Sequence, residues 1–339
     1  MMAAATAGAG PVHPRIGVAG NTCVDILVRD VDDRGGVDVA TAARDGWGDN
    51  VQFHEAPIEP VLGGGGVGPA LVLAHCGHPV DLNTNLGSDV WGELATRQVR
   101  AAGVGLGPPL DAASAANVIL LCPDGRRTSH YHAGQKVAWS RSVGAAGTGT
   151  EDGGSQWSWF FASGFGLVDD GDLRELQQVF AAMRQRGVST AFDPSPWFDR
   201  CGVDQGAMRS VFAELTCLVG TEEELLAWHS APTAEALARE LLNAGPEHVV
   251  VKRGAAGAVW ASRAEEADAV AGASTVAEGK VMTEPVWGTN TTGAGDSFNG
   301  YLIHGLATGR GCRAGVEAAV AAATSVARSG RGVQAALTD

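Results

Sequence analysis

The chain has 339 residues, with 24 Lys and Arg against 38 Asp and Glu, and a formal net charge of −14. Hydrophobic residues make up 45% and charged residues 18%, which supplies a large core and excludes disorder over the whole chain. The acidic balance excludes a broad basic face, so no nucleic-acid partner is expected, while a local anion site made of a few backbone N–H groups stays open.

In chain order, MMAAATAGAGPVHP lacks a basic and a sustained apolar segment, so residues 1–14 read as a flexible leader and not a secretory signal. IGVAGN, from Ile16, reads as a short buried strand entering a turn. The stretch 29–60 is polar, acidic and rich in Gly and Asp, which suits an irregular or small-sheet excursion. Four glycines, Gly63–Gly66, precede VGPALVLAHCGHPV, with apolar residues at helical spacing. DLNTNLG reads as a strand, and GELATRQVRAAGV as an amphipathic helix ended by Gly103. NVILLC (117–122) and Thr128–His132 flank Pro123-Asp124-Gly125, a hairpin signal. His130 and His132 alternate along the second of these strands, facing either substrate or solvent. Gly144–Gln156, rich in Gly, Ala and Thr, reads as a loop. Beyond it strands and helices alternate over some 200 residues, which predicts a mainly parallel sheet covered on both faces. The last helices are expected at Asp296–Leu306 and Ala314–Ala327.

Six cysteines, at 23, 76, 122, 201, 217 and 312, form no C-x-x-C pair and read as small core residues in a reducing, cytoplasmic compartment. No apolar run reaches the ~18 residues of a membrane span, so no membrane partner is expected. Nine histidines show no H-E-x-x-H spacing, against a catalytic metal held directly by the protein. Of nine tryptophans, those near loops (Trp47, Trp139, Trp157, Trp159, Trp197) read as core or loop anchors before stacking platforms. No G-x-S-x-G marks a hydrolase elbow, and the single glycine after the first strand fails the dinucleotide fingerprint of an oxidoreductase.

The most informative segment is NTTGAGDSF, Asn290–Phe298, followed by a helix with Phe298, Leu302, Ile303 and Leu306 on one stripe. Gly293 and Gly295 allow a tight turn that presents the N–H groups of Ala294 and Gly295 at a helix start, an anion cradle aided by the helix dipole. Asp296 at that place reads either as a helix N-cap or as a base for an attacking hydroxyl.

GAGDSF after Thr-Thr, with GGGGVGPALVLAHCG (63–77) far upstream, resembles the PfkB (ribokinase-like) family of carbohydrate kinases. NLGSDVWGE (85–93), PDGRRTSHYHAG (123–134), AFDPSPW, VVVKRGAAG and ATSVARSG resemble further family segments in the family's order. The resemblance implies an α/β fold with a three-layer α/β/α core, a mainly parallel sheet and a small β lid. One kinase domain would span 15–339, with lid segments near 26–60 and 110–135. It implies transfer of the γ-phosphoryl group of MgATP to a hydroxyl of a small sugar or sugar acid, with a nucleoside as the alternative acceptor. Asp296 would be the general base, and the backbone of Gly293, Ala294 and Gly295 would stabilise the moving phosphoryl charge. Gly254 and Gly257 would let their loop lie against ATP, with Lys252 reaching its phosphates or standing as a solvated strand-end lysine. Glu223 would organise hydrated Mg²⁺, or else be an exposed acid favoured by the helix dipole. Asp25 would accept sugar hydroxyls, and Gly64, Gly65 and Gly66 would let backbone approach the substrate. Homodimerisation through the lid is a family habit.

The chain also departs from the family pattern. The Asn of the N-x-x-E motif falls at Gly220, the Asn closing the glycine run at Gly68, and an N-terminal Asn at Cys23. The Asp that serves a monovalent cation is Asn290, which makes K⁺ activation doubtful. These departures put ribose in question as substrate and keep open a catalytically silent relative that binds a sugar or nucleotide to regulate a partner.

Overall fold

The computed structural model describes residues 13–29, 31, 54–55, 57–122, 126–147, 156–165, 169–195, 204–263, 276–284, 286 and 291–337. Residues 1–12 of the leader, most of the 29–60 excursion, the 123–125 turn, Trp47, Trp197, Cys201 and Asn290 lie outside them.

A nine-stranded sheet carries the molecule. Its strands are β1 (Ile16–Ala19), β4 (Val80–Asn83), β5 (Gly105–Leu106), β8 (Trp159–Ser163), β9 (Ser189–Asp193), β10 (Cys217–Thr221), β11 (His248–Lys252), β12 (Ala258–Arg263) and β13 (Val276–Val281). Their order is β13-β12-β11-β10-β9-β8-β1-β4-β5. From β5 to β11 all pairs are parallel, and β12 and β13 add antiparallel at one edge. The parallel strands are short and apolar on both sides, as strands with two covered faces must be. In β8, Phe160 and Phe161 are both fully buried, one in each of two separate cores.

One face is covered by α1 (Val67–His75), α2 (Val90–Ala101), α8 (Ala294–Ala307) and α9 (Gly311–Ser329). The other is covered by α4 (Asp170–Gln185), α5 (Gln205–Phe212) and α7 (Ala234–Leu242). Helix starts follow capping chemistry: Asp169 caps α4 in a capping box with Asp172, and Asp204 and Thr233 cap α5 and α7. Helix α3 (Arg141–Gly147) occupies the first part of the glycine-rich stretch expected to be loop. Its entry is fixed by buried Trp139 and by Asn83, which donates to Ala138 O and Ser142 Oγ at 2.9 and 2.8 Å. That anchoring overrides the poor helix propensity of glycine.

A second sheet of four strands has the order β3-β2-β6-β7, from β2 (Cys23–Arg29), β3 (Glu59–Gly63), β6 (Ala115–Leu121) and β7 (Arg127–His132). Asp25 on β2 lies beside Asn117 on β6, which lies opposite Tyr131 on β7. Side chains alternate along a strand, so these three share one face, and His130 and His132 take the other.

Candidate active site

The carboxyl ends of the parallel strands, the starts of α1 and α8, and the small sheet converge at one end of the molecule. Ligands of open α/β sheets bind at that end. Strand β1 leads into Asn21, which organises the glycine run. Its side-chain oxygen accepts from Gly65 N at 3.0 Å and its carbonyl from Gly66 N at 2.9 Å. Gly64 has φ +114°, where a side chain would be strained. A Cβ at Gly63 would collide with the Asp25 carboxylate, and one at Gly65 with Ser163. The glycines therefore let backbone pack around Asp25 and Asn21.

Asp25 is 4% exposed. Its Oδ1 accepts from Asn117 Nδ2 at 3.1 Å and from Cys23 Sγ at 3.4 Å. Burial pushes its pKa above the ordinary carboxylate value, against the opposing effect of Cys23, Asn117 and Arg127. Cys23 is itself a buried thiol whose pKa is driven up by burial.

At the start of α8, Gly293 adopts the left-handed conformation (φ 81°) as N-cap. A Cβ there would stand 2.6 Å from Val333 N, so the turn needs glycine. Ala294 donates its N–H to Thr291 O at 3.1 Å, which ties one of the expected cradle donors into the turn. Gly295 is exposed and faces Lys252, whose Nζ would lie 3.9 Å from a Cβ added there. Asp296 is half-buried in the first turn, with Gly68 of α1 against it: a Cβ at Gly68 would stand 2.5 Å from Asp296 Cβ. Its pKa is raised to about 6, mainly by loss of hydration, with Lys252 pulling it down and Asp193 and Asp25 pushing it up. A carboxyl so poised is ionised at neutral pH and still able to take a proton.

Lys252, at the end of β11, is not a solvated strand-end lysine. It is 9% exposed, and its Nζ donates to Asp193 Oδ2 at 2.7 Å. Burial alone would lower its pKa, but Asp193 and Glu224 outweigh that effect and hold it raised and charged. Asn299, one turn beyond Asp296, donates to the same Asp193 oxygen at 2.6 Å, and Ser195 N donates to Asp193 Oδ1 at 2.9 Å. Ser195 itself carries a positive φ of 59°, a strained conformation of the kind found where a site over-determines the backbone.

Helix α6 (Glu222–Leu226) starts with a capping box: Thr221 Oγ1 accepts from Glu224 N at 3.2 Å, and Glu224 Oε2 accepts from Thr221 N at 2.7 Å. Glu223 points to solvent, while Glu224 is half-buried, its pKa raised by burial and Asp193 and lowered by Lys252. So it is Glu224, and not Glu223, that joins the Asp193–Lys252 cluster. Gly254 and Gly257 both have positive φ, 50° and 84°. Gly257 packs against β13 and its following residue, whereas a Cβ at Gly254 meets nothing within 4 Å, leaving that part of the loop open to an approaching ligand. Among the described residues no three His, Cys, Asp or Glu side chains are arranged to hold a metal ion, and no helix is long and apolar enough to cross a membrane.

Asn21, Asn117, Asp193, Glu224 and Asn299 lie in this candidate site and are not among the residues singled out from the sequence. Glu224 carries a local signal, the T-x-x-E of the capping box, and Asp193 lies within the family-like segment AFDPSPW.

The architecture is that of the ribokinase-like kinases. Ribokinase from Thermotoga maritima superposes with a TM-score of 0.69 at 18% identity, over 96% of each chain. Arabidopsis thaliana ribokinase, solved with ribose and ATP, gives 0.67 at 17% identity over 95% of each. Aminoimidazole riboside kinase from Salmonella enterica, with its riboside and an ATP analogue, gives 0.68 at 18% over 96% of each. In sequence, residues 23–338 match the model of the pfkB family of carbohydrate kinases, and the chain belongs to that family. Mouse ribokinase is 35% identical over 133 residues, which is 38% of this chain and 37% of the mouse protein, so the match spans little more than a third of that relative.

Proposed function

We propose that the chain is an ATP-dependent kinase that moves the γ-phosphoryl group of ATP to a hydroxyl of a small sugar or sugar acid, with Asp296 as the general base. The observation that carries this reading is the Asp296 carboxyl at the start of α8, packed against Gly68, with its pKa raised to about 6 by burial and held down by cationic Lys252. Asp25 would hold acceptor hydroxyls, as its place on the inner face of the small sheet favours, and would orient one of them toward Asp296. Deprotonation by Asp296 would make that hydroxyl a nucleophile for in-line attack, and Lys252 with the Gly293–Gly295 backbone would balance the charge that develops.

The nucleotide fits the open backbone at Gly254 and the uncrowded side of Gly295 facing Lys252. Mg²⁺, which supplies charge neutralisation when bound with the phosphates, typically keeps several waters and takes one or two carboxylates. Glu224, beside Asp193 and half-buried, suits that role better than exposed Glu223. A nucleoside acceptor is the second reading, favoured by Tyr131 on the small sheet, whose ring meets Phe165 edge-on at 6.0 Å and offers an aromatic wall. The protein would then work as a soluble enzyme on small molecules.

The test is ADP release with MgATP over a panel of sugars, sugar acids and nucleosides, beside Asp296→Asn. The reading expects acceptor-dependent ADP that the variant loses. A folded protein that binds members of the panel without releasing ADP would instead be a silent, ligand-binding relative.

A further inference from the structure

The large sheet ends at β13, and that edge is open. On one side β13 pairs with β12 along its whole length, Val276 to Val281. On the other, no strand follows, and residues 276–282 make no further backbone hydrogen bond with the described residues. Four of the six residues of β13 are exposed, so the edge is not shielded by a helix laid over it. A strand edge of this kind is a template for pairing with another chain. The opposite edge of the sheet, β5, has only two residues and offers no such template.

The sequence of the edge says what fits it. VAEGKVM, residues 276–282, is complementary to itself when a second copy runs antiparallel. Residues that face each other across an antiparallel ladder put their side chains on the same face, so a two-fold pair must be centred on a residue. Centred on Gly279, Glu278 lies opposite the partner's Lys280, Ala277 opposite the partner's Val281, and Val276 opposite the partner's Met282. Centred on Glu278 or on Lys280, the same strand sets like charges against each other, which is destabilising. Charge therefore selects the Gly279 register. Lys280 forms no ion pair among the described residues, and Glu278 is held in place by the Arg239 guanidinium of α7 at 2.8 and 3.0 Å. Val276 and Met282 are 42% and 61% exposed, among the few large apolar side chains left in solvent. The two-fold covers each with the other at both ends of the strand.

We infer that the chain self-associates through β13, two copies joining their large sheets into one continuous sheet with Gly279 on the two-fold axis. The interface is isologous, and Gly279, with no side chain, lets the two backbones meet at the axis. A single strand edge buries little area, which places the dimer among weak, reversible ones. The small sheet takes no part in it. The inference stands apart from the kinase reading, since it uses no residue of the candidate active site.

The experiment is sedimentation velocity of the full chain from about 5 to 500 µM, for wild type, Lys280→Glu, Glu278→Lys and an equimolar mixture of the two variants. Melting curves verify that each variant is folded. Lys280→Glu leaves the Arg239–Glu278 bridge intact, so it remains informative if Glu278→Lys is destabilised. Wild type is expected to dimerise reversibly. In either variant alone, two like-charge contacts replace two opposite ones, and the dissociation constant should rise by about 10-fold or more. In the mixture every lysine faces a glutamate again, so a heterodimer should form with an affinity close to that of wild type. Amide exchange over 276–282 should slow with rising concentration in wild type and not in Lys280→Glu. Wild type that stays monomeric over the whole range overturns the inference. So does a dimer equally tight in Lys280→Glu, which would use another surface, or a mixture of folded variants that associates no better than each alone.

Discussion

Lys252→Met probes the electrostatics of the site most sharply, because Lys252 faces two carboxylates with opposite consequences. Toward Asp193 it is one half of a buried ion pair with a 2.7 Å contact. Removing it strands a carboxylate that is only 4% exposed, a change that costs about 3–5 kcal/mol and lowers the melting temperature by on the order of 5–10 °C. Toward Asp296 it is the one group that opposes the upward shift to about 6. With Asp296 as the proposed base, wild type is expected to show an acid limb in kcat/KM near pH 6, with about nine-tenths of that carboxyl ionised at pH 7. Without Lys252 the limb moves up, by about one pH unit or more for a lost close cation. The activity deficit is then several-fold larger at pH 6 than at pH 8.5. Adding Asp193→Asn removes the stranded charge and one of the groups that push Asp296 up. The double variant should recover thermal stability and bring the limb back toward pH 6. The assay is a pH profile of acceptor-dependent ADP release for wild type, Lys252→Met, Asp193→Asn and the double variant, with melting curves. A limb fixed at the same pH in all four, with a loss equal at every pH, would refute the coupling and leave Lys252 a phosphate contact only.

Three further outcomes follow from the same geometry. Asp296 has a folded-state pKa raised from 3.8 to about 6, so its ionisation opposes folding. The penalty is absent below about pH 4, grows as pH rises through 6, and is complete above it. Asp296→Asn should therefore be more stable than wild type at pH 8, by at most about 3 kcal/mol and less to the extent that solvent screens this half-buried group. The two should melt alike near pH 4, and chemical denaturation at both pH values checks it. Gly68→Ala places a methyl 2.5 Å from Asp296 Cβ; displacement of the base should cut kcat about 10- to 100-fold in a protein that still folds, and kcat close to wild type would contradict that packing. Glu224→Gln, which can keep the helix cap, should raise the Mg²⁺ concentration for half-maximal activity by about 10-fold. Glu223→Gln should leave it unchanged, and a Mg²⁺ titration of both separates the two neighbours.

What the sequence reveals of this site depends on how locally each feature is encoded. The turn at Gly293–Gly295 and the helix after it are legible because a left-handed glycine and a helical stripe are written within a few residues. The parallel core is legible because two-faced burial leaves uninterrupted apolar runs such as WFFA. Asp193, Asn299 and Lys252 lie 106 and 59 positions apart in their pairings, so only the folded sheet brings them together. Glu223 and Glu224 stand in a run of three glutamates, and the capping box at Thr221 turns Glu224 back onto the helix start while Glu223 stays exposed, a difference that the motif does not carry. Helix α3 shows the reverse case, where glycine-rich composition points to loop and anchoring by Trp139 and Ser142 decides for helix.

The most direct measurement is transfer of ³²P from γ-labelled ATP to a polyol, followed by chromatography of the product, for wild type and Asp296→Asn at pH 8. The account predicts a labelled phosphomonoester from wild type that depends on the polyol, and at least a 100-fold loss in the variant without loss of polyol binding. A labelled product formed equally fast by Asp296→Asn would contradict the assignment of the base, and with it the central claim.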